Sequence, residues 1–383
     1  MKKILVVHNK YRYIGGEDIA VDNEIALLRK HFDVSELYFD NDIKNVFTQF
    51  FYFLFNSNFK SKKIFKNKLK EIKPDLIYIH NTWFKASISV IKQALKSETK
   101  VFLKMHNFRY FCTRIYLSKN HFNGLNTCSC CGLNKSDMGI FNKYFSESFY
   151  KSLLVIRYGK KYFKLLNNKN INLLVLTEFH KNFLYNLGIN KSKVNVFPNF
   201  LDPKIKNSSA NKLNYFLYAG RISNEKGVKE LIDAFLSIKN KNNYNLKIIG
   251  DGPLKKSLEK EYKFDNIDFL GSLDNEIVLE LISNANCVIT ATKLFEGQPT
   301  LLCEASSLEV PSIFPETGGI SEFFPKEYQF AFKQFDYKDL KQKMENLINH
   351  KNPISIGKEN KIYINKYLDE LNLIRLFNQL IDE

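Results

Sequence analysis

The chain has 383 residues, of which 44% are hydrophobic and 25% charged, and it carries a formal net charge of +17. At about 150 residues per domain, this length predicts two or three domains. The composition excludes a disordered chain, a collagen and a disulfide-stapled miniprotein. The positive charge suits an anionic membrane or a phosphate-bearing substrate. Only seven of the 57 basic residues are arginine, so sequence-specific nucleic-acid binding is not expected.

The beginning of the sequence does not have the pattern of a secretory signal. Its apolar run, residues 4–7, is too short and ends in polar residues. No stretch reaches the roughly 18 apolar residues that cross a bilayer. We therefore expect a cytoplasmic protein that is at most peripheral on the inner face of the cell membrane.

Short apolar runs recur along the chain, and each is followed by a polar, helix-like pattern. Continuous apolarity is typical of parallel strands that are buried on both faces. The repeated order of strand and helix predicts an α/β fold built from βαβ units. The predicted strands are residues 2–9, 75–81, 100–107, 172–178, 215–220, 246–252, 267–271, 287–292 and 310–314.

A Pro-, Ser- and Asn-containing segment without periodicity, residues 197–214, predicts an interdomain linker. The linker divides the chain into an N-terminal domain, residues 1–196, and a C-terminal domain, residues 215–351. Residues 352–383 have helical spacing and form a tail that belongs to either domain.

Three predicted strands of the first half end in the same dipeptide, His-Asn. These pairs begin at His8, His80 and His106. In an open α/β sheet, ligands bind at the carboxyl ends of the strands. If the three strands lie in one parallel sheet, their side chains converge on one crevice.

The most informative motif of the second half follows the predicted strand 287–292. Glu296 and Gly297 lie on a loop, and a helix is expected to begin after Pro299, so that the N–H groups of Thr300 and Leu301 are available to a phosphate. Glu304 follows Glu296 by eight residues and is expected to lie one turn inside the helix.

Cationic and glycine-rich turns follow other strands. Arg221 and Lys226 flank a short turn after the first strand beyond the linker, and two such cations can neutralise a diphosphate leaving group. Gly250 and Gly252 form a tight turn after the next strand. Gly15 and Gly16 follow the first strand of the chain and permit close approach of a phosphate or a sugar.

These residues together resemble the family 4 glycosyltransferases, which are retaining enzymes of the GT-B fold. The resemblance runs from the first strand to about residue 345, and its most specific part is the Glu-x7-Glu spacing of Glu296 and Glu304. It implies two Rossmann-like domains that face each other across a cleft. The N-terminal domain would bind the acceptor, and the C-terminal domain would bind a nucleotide sugar.

The resemblance also implies roles in donor binding. Glu296 would contact the hydroxyls of the donor sugar and Glu304 the ribose, while Arg221 and Lys226 would bind the diphosphate. The glycine turns at 250–252 would lie beside the base or ribose.

Further implied roles concern the transferred group. His106 would lie beside the sugar, Gly16 would approach the donor phosphates, and Thr300 and Leu301 would offer N–H groups to the diphosphate. The co-substrate would be a UDP- or GDP-linked sugar, with no other cofactor. The acceptor would be a glycan or a lipid-linked glycan of surface polysaccharide or lipopolysaccharide.

Two features bear on metals. The acidic pair in residues 40–42 is interpreted as a solvated turn, so no catalytic metal is expected. Cys112, Cys128 and Cys131, with His121 or Cys130, offer a structural zinc set within the loop 107–140. The alternative is a loop of free or redox-active thiols.

An aromatic cluster that includes Phe51 and Phe53 precedes a basic run that includes Lys62 and Lys63. This pattern is typical of a segment that lies on an anionic membrane. A buried helix followed by a solvated helix explains it equally well.

Two other functions remain open. A nucleotide-sugar 2-epimerase of similar architecture needs no acceptor. A basic nucleic-acid-binding protein leaves the two glutamates and the glycine turns unexplained.

Overall fold

The computed structural model of the chain describes residues 1–11, 16–41, 51–52, 54–83, 85–108, 126, 149–201, 212–239 and 243–383, without the side chains of residues 149–156. The chain divides into two compact units. Unit 1 comprises Met1–His121, Tyr144–Phe200 and Leu368–Glu383, and unit 2 comprises Phe122–Lys143 and Leu201–Tyr367. Each unit has a six-stranded parallel sheet with helices, which is the expected α/β fold.

The sheet of unit 1 has the order β2-β1-β3-β4-β5-β6. Its strands are β1 (Lys3–Lys10), β2 (Asp33–Asp40), β3 (Leu76–Ile79), β4 (Lys100–Met105), β5 (Ile171–Val175) and β6 (Val194–Val196). Its helices are α1 (Gly16–Leu28), α2 (Phe59–Ile72), α3 (Ser87–Ala94), α4 (Phe149–Leu166) and α5 (Glu178–Asn186). The strand order reverses between β1 and β3, so a crevice is expected at the carboxyl ends of these two strands.

The sheet of unit 2 has the order β12-β11-β10-β7-β8-β9. Its strands are β7 (Leu213–Ala219), β8 (Asn245–Ile249), β9 (Ile267–Gly271), β10 (Ala285–Ile289), β11 (Ser312–Glu316) and β12 (Ala331–Lys333). Its helices are α6 (Val228–Leu236), α7 (Lys255–Glu261), α8 (Asn275–Asn284), α9 (Thr300–Ser307), α10 (Tyr337–Ile348) and α11 (Pro353–Tyr367). Here the order reverses between β7 and β10.

The last helix, α12 (Glu370–Asp382), packs in the core of unit 1. Its Phe377 is fully buried and makes ring contacts with Phe32, Tyr78, Phe102 and Phe197. The helical tail therefore returns to the first half of the chain, which spacing alone left open.

All nine predicted strands are present, with ends that differ by up to three residues. Three further strands, β2, β6 and β12, lie at sheet edges. These three strands are short or mix polar with apolar residues, so they lack the continuous apolar run on which the prediction depended. β2 shows this, because its sequence DVSELYFD mixes charged and apolar residues. The fourth edge strand, β9, was predicted.

Candidate functional site

The reversal point of unit 2 carries a close ion pair. Nζ of Lys226, at the end of the turn after β7, lies 2.6 Å from Oε1 of Glu296, on the loop after β10. The hydroxyl of Thr292 donates to the same oxygen at 2.9 Å. The side chain of Lys226 is 31% exposed and that of Glu296 is 26% exposed. The pair is therefore fixed in place but remains accessible to a ligand.

The backbone around Glu296 is held by glycine packing. Gly319 donates its N–H to the carbonyl of Glu296 at 2.8 Å, and a Cβ on Gly318 would lie 2.2 Å from that same oxygen. Gly318 also has a φ of +58°, which favours glycine. Gly297, which follows Glu296, is buried. The loop can thus approach the neighbouring turn this closely only because Gly318 has no side chain.

The turn after β8 packs against the turn after β7. Gly250 has a φ of +129°, and a Cβ there would lie 2.0 Å from the carbonyl oxygen of Gly220. A Cβ on Gly252 would lie 2.2 Å from the carbonyl oxygen of Ile222. The two glycines therefore make the backbone contact between these turns possible.

Helix α9 begins directly after this loop. The N–H groups of Leu302 and Cys303 bond to the carbonyl of Pro299, whereas those of Thr300 and Leu301 have no acceptor among the described residues. An N-terminus with free N–H groups and a favourable dipole suits an anion. Glu304 is the fifth residue of the helix and is partly buried.

Arg221 differs from Lys226. Its side chain is exposed and forms no ion pair or hydrogen bond within the part of the chain that the structure describes. Its carbonyl accepts from the hydroxyl of Tyr218 at 2.8 Å, which fixes the turn. The structure therefore joins Lys226 to Glu296 and leaves the guanidinium of Arg221 to solvent.

In unit 1, the three His-Asn pairs lie at the carboxyl ends of adjacent parallel strands: the first pair is within β1, and the other two directly follow β3 and β4. The histidines share one face of the sheet. His80 Nδ1 lies 3.1 Å from His106 Nε2, and His8 Nε2 lies 2.8 Å from a carboxylate oxygen of Asp18 on α1. Burial holds the pKa of both His80 and His106 well below the usual value, so both rings are neutral at physiological pH.

Two of the three asparagines, Asn9 and Asn81, bond to the backbone, whereas Asn107 donates to a carboxylate oxygen of Glu17 at 3.4 Å. Asn9 accepts from the N–H of Ala86 at 2.8 Å, and Asn81 donates to the carbonyl of Asn9 and accepts from the N–H of Trp83. Asn81 and Asn107 also line the same small cavity as His80 and His106. The asparagines therefore hold the loops beside the histidines.

A buried charged pair lies beside the histidines. Lys104 Nζ is 2.7 Å from Glu24 Oε2, and the two side chains are 0% and 1% exposed. Tyr78 donates to the other oxygen of Glu24 at 2.5 Å. Sequence reasoning missed this network, although a lysine inside the apolar run of β4 was a signal, because a buried charge requires a partner.

The remaining predicted residues lie outside the described residues or form no site with other predicted residues. Gly16 is the exposed first residue of α1, with open space around its Cα. Gly15, Phe53, Cys112, Cys128, Cys131, Cys130 and His121 lie outside the described residues. Asp40 pairs with Lys85 at 2.8 Å. Within the described ranges, no cluster of three or more metal-ligating side chains occurs.

The aromatic and basic segment is partly described. Phe51, Phe55 and Phe59 are 53%, 63% and 67% exposed. Lys63 is exposed and Lys62 is partly buried, both on α2. None of the helices in the described ranges has the length and apolarity that a membrane crossing needs.

Residues 202–367 match the family model described as Glycosyl transferases group 1. The uncharacterized glycosyltransferase MJ1178 of Methanocaldococcus jannaschii is 23% identical over 403 aligned positions, covering 99% of both chains. The capsular polysaccharide biosynthesis glycosyltransferase CapM of Staphylococcus aureus is 34% identical over 142 residues, which is 34% of this chain and 36% of CapM.

The fold has solved counterparts. A sucrose-phosphate synthase from Thermosynechococcus elongatus has a TM-score of 0.73 at 15% identity, and Alr3699/HepE of Anabaena, solved with UDP and glucose, has a TM-score of 0.71 at 14% identity. Both are covered completely, as is this chain. Residues 202–367 therefore carry a glycosyl transferases group 1 domain, and the chain has the fold of the GT-B glycosyltransferases.

Proposed function

We propose that this protein is a retaining glycosyltransferase that moves a sugar from a nucleotide-diphosphate donor to a hydroxyl of a glycan in surface-polysaccharide or lipopolysaccharide synthesis. The observation that carries the proposal is the accessible Lys226–Glu296 pair at the reversal point of unit 2, beside the free N–H groups of α9. Relatives named for capsular polysaccharide and O-antigen biosynthesis support this pathway class.

The donor would bind to unit 2. Its diphosphate would attract Lys226 and Arg221 and accept from the N–H groups of Thr300 and Leu301. Release of Lys226 to the phosphates would leave Glu296 for the sugar hydroxyls, and Glu304 would hold the ribose. Gly250 and Gly252 would let the nucleotide approach the backbone. UDP or GDP is the expected nucleotide, and the Anabaena protein was solved with UDP.

The chemistry would be mainly electrostatic. The sugar–phosphate bond breaks early, and charge builds on the diphosphate oxygens, where cations and N–H groups stabilise the transition state. The acceptor hydroxyl attacks the same face of the sugar from which the leaving group departs. The departing phosphate takes the proton of that hydroxyl. The roles that the resemblance implies for His106 and Gly16 stay predictions. No catalytic metal enters this scheme.

Donor binding is the first test. UDP-, GDP-, dTDP- and ADP-sugars are each added to the protein, and the thermal midpoint is measured. At least one is expected to raise it, and Arg221→Ala and Glu304→Ala should each reduce that shift. Lys351→Ala is the matched control, since this exposed cation follows α10 and belongs to none of the turns that form the candidate site. If no nucleotide sugar stabilises the wild type, the proposal is wrong.

Turnover is the second test. The product formed with a surface-glycan acceptor should keep the anomeric configuration of the donor, which proton NMR reads from the anomeric coupling. An inverted product would contradict the retaining mechanism. Conversion of the donor in the absence of any acceptor would identify a 2-epimerase instead.

We propose that the acceptor is lipid-linked and that the exposed aromatic and basic segment around α2 contacts anionic lipid. Exposed aromatic rings beside exposed lysines support this reading. Co-sedimentation with phosphatidylglycerol vesicles should fall in Phe51→Ser and in Phe53→Ser. Ile362→Ser, at a 71% exposed position of unit 2, should leave it unchanged. Equal binding of all variants would contradict the membrane role.

A further inference from the structure

Two lysines at the candidate site of unit 2 differ in burial. The side chain of Lys226 is 31% exposed, whereas that of Lys293 is only 2% exposed. Lys293 lies on the loop after β10, three residues before Glu296. Because a buried ammonium is costly unless it is paired, the partners of Lys293 show which parts of the unit it connects.

The ammonium of Lys293 bonds to two other elements. Its Nζ lies 2.7 Å from Oε1 of Glu230 on α6 and 3.2 Å from Oδ1 of Asn224 in the turn after β7. Glu230 is itself partly buried, with 24% of its side chain exposed. The loop that carries Glu296 is therefore attached through Lys293 to the turn that carries Lys226.

The backbone of Lys293 makes two further bonds. Its N–H donates to the carbonyl of Glu225 at 2.9 Å, and its carbonyl accepts from Nε2 of Gln334 at 3.2 Å. Glu225 directly precedes Lys226 in the chain, and Gln334 directly follows β12. Lys293 thus holds the loop to the turn through both its side chain and its backbone.

The same turn packs closely against the segment that leaves β10. Gly227 has a φ of +67°, and a Cβ there would lie 2.0 Å from the carbonyl oxygen of Ala291. β7 and β10 are adjacent parallel strands, so the segments that follow them leave the sheet side by side. An exposed ion pair contributes little to stability, so the Lys226–Glu296 contact cannot hold these segments together by itself.

Donor binding would break the exposed pair, because the ammonium of Lys226 would move to the phosphates and Glu296 to the sugar. Charges stabilise a transition state best when they are already in place before the reaction. The turn and the loop must therefore stay together after the bond between Lys226 and Glu296 is lost. The bonds of Lys293 do not involve that pair, so they persist when it opens.

We propose that Lys293 is a positioning residue whose buried ammonium holds the turn after β7, residues 220–227, against the loop after β10. Lys226 on the turn and Glu296 on the loop would then act on one diphosphate sugar. This inference rests on the proposed function for the identity of the ligand. Lys293 itself does not touch the ligand, since its side chain is almost completely buried.

Two variants separate positioning from stabilisation. Lys293→Met leaves Glu230 without its cationic partner, so it should lower the melting temperature. Lys293→Met/Glu230→Leu removes both charges, and replacement of both members of a buried pair by apolar residues is often neutral. Its melting temperature should therefore be close to that of the wild type, although the bond to Asn224 is still absent.

Hydrogen exchange tests the inference without any substrate. In both variants, amides of the turn should exchange about tenfold faster by mass spectrometry, because opening no longer breaks the bonds of a buried ammonium. Peptides from β8 report on the stability of the whole unit and should exchange more slowly than the turn does. Unchanged exchange of the turn in the double variant would overturn the proposal. An equal increase in the turn and in β8 would also overturn it, because it would show a general loss of stability.

Lys361→Met is the matched control. Lys361 pairs with Glu309 at 2.8 Å in the same unit, but neither residue belongs to the turn or to the loop. Exchange of the turn should therefore equal that of the wild type. Faster exchange of the turn in this control would show that loss of another ion pair has the same effect, which contradicts a specific role for Lys293.

Sugar transfer is the second readout. Misplacement of a binding group costs up to about a hundredfold, so kcat/KM for the donor should fall about ten- to a hundredfold in Lys293→Met and in the double variant. Recovery of kcat/KM together with the melting temperature in the double variant would show that Lys293 only stabilises the unit. If the wild type binds no nucleotide sugar, the proposed function fails, and the hydrogen-exchange result still decides this inference.

Discussion

Two ion pairs of nearly equal length differ strongly in burial. Lys104–Glu24 in unit 1 is 2.7 Å long and almost completely buried, whereas Lys226–Glu296 in unit 2 is 2.6 Å long and about 30% exposed. A buried charge cannot lose its partner without a large cost in free energy, but an exposed one exchanges its partner for water or for a ligand. Burial, and not distance, therefore separates a structural pair from one that is suited to binding.

The largest effect is expected when the buried pair is broken. Lys104→Met leaves Glu24 charged and unpaired in the core, and the free energy of unfolding should fall by about 3–5 kcal/mol. The single tryptophan, Trp83, lies in unit 1, so urea unfolding followed by its fluorescence reports on that unit. The double variant Lys104→Met/Glu24→Leu should recover most of the loss. No recovery would mean that the pair itself, and not the unpaired charge, stabilises the unit.

Lowering the pH should also reduce the free energy of unfolding of unit 1. Burial lowers the pKa of His180 to about 3 and holds those of His80 and His106 well below 6.5. Below pH 6.5 the unfolded chain binds protons that the folded chain does not, so stability falls as pH falls. The slope is about 1.4 kcal/mol per pH unit for each histidine. Unfolding of unit 1, followed through Trp83 from pH 7 to pH 5, should lose about one third of this slope in His180→Phe. A free energy of unfolding of unit 1 that does not change between pH 7 and pH 5 would contradict buried neutral histidines.

Unit 2 should be more sensitive at its glycine turns than at its ion pair. Gly250→Ala places a methyl group on the carbonyl of Gly220 at a positive φ, and it should destabilise unit 2 by more than about 1 kcal/mol. Gly16→Ala is the control, because open space surrounds that position and alanine favours a helix. Far-UV circular dichroism melting measures both. An equal melting temperature of Gly250→Ala and the wild type would show that the backbone contact between the two turns does not stabilise unit 2.

The smallest effect on stability is expected for Lys226→Met. The exposed pair contributes at most about 1 kcal/mol, so the melting temperature should stay close to that of the wild type while the donor-induced shift decreases. A loss of stability as large as that of Lys104→Met would remove the distinction between the two pairs.

Sequence reasoning found the interior of the fold better than its margins. The central strands β1, β3, β4, β7 and β10 are apolar runs, so periodicity identified them. Three of the four edge strands, β2, β6 and β12, were not predicted because their sequences are short or mix polar with apolar residues, whereas the edge strand β9 was predicted. In the same way, Glu296 and Lys226 were recognised from their motifs, but their mutual ion pair was not, because 70 residues separate them.

The histidines illustrate the same limit. Three His-Asn pairs predicted a convergent crevice. β1, β3 and β4 are adjacent and parallel, and the small cavity at their ends is lined by His80 and His106, while His8 pairs with Asp18. The bond between His80 and His106 depends on ring orientation, which a dipeptide does not encode. The buried Lys104 depends likewise on Glu24, a helical residue 80 positions earlier.

The return of α12 to unit 1 has a consequence for synthesis of the chain. Phe377 completes the aromatic core around Phe102 and Phe197, but it is translated 180 residues after Phe197. At about 5–20 residues per second, roughly 10–40 s pass between the two. During that interval unit 2 has time to fold, while the apolar face of unit 1 that α12 covers is still open. A nascent chain paused in this interval is the form most exposed to aggregation and to chaperone binding.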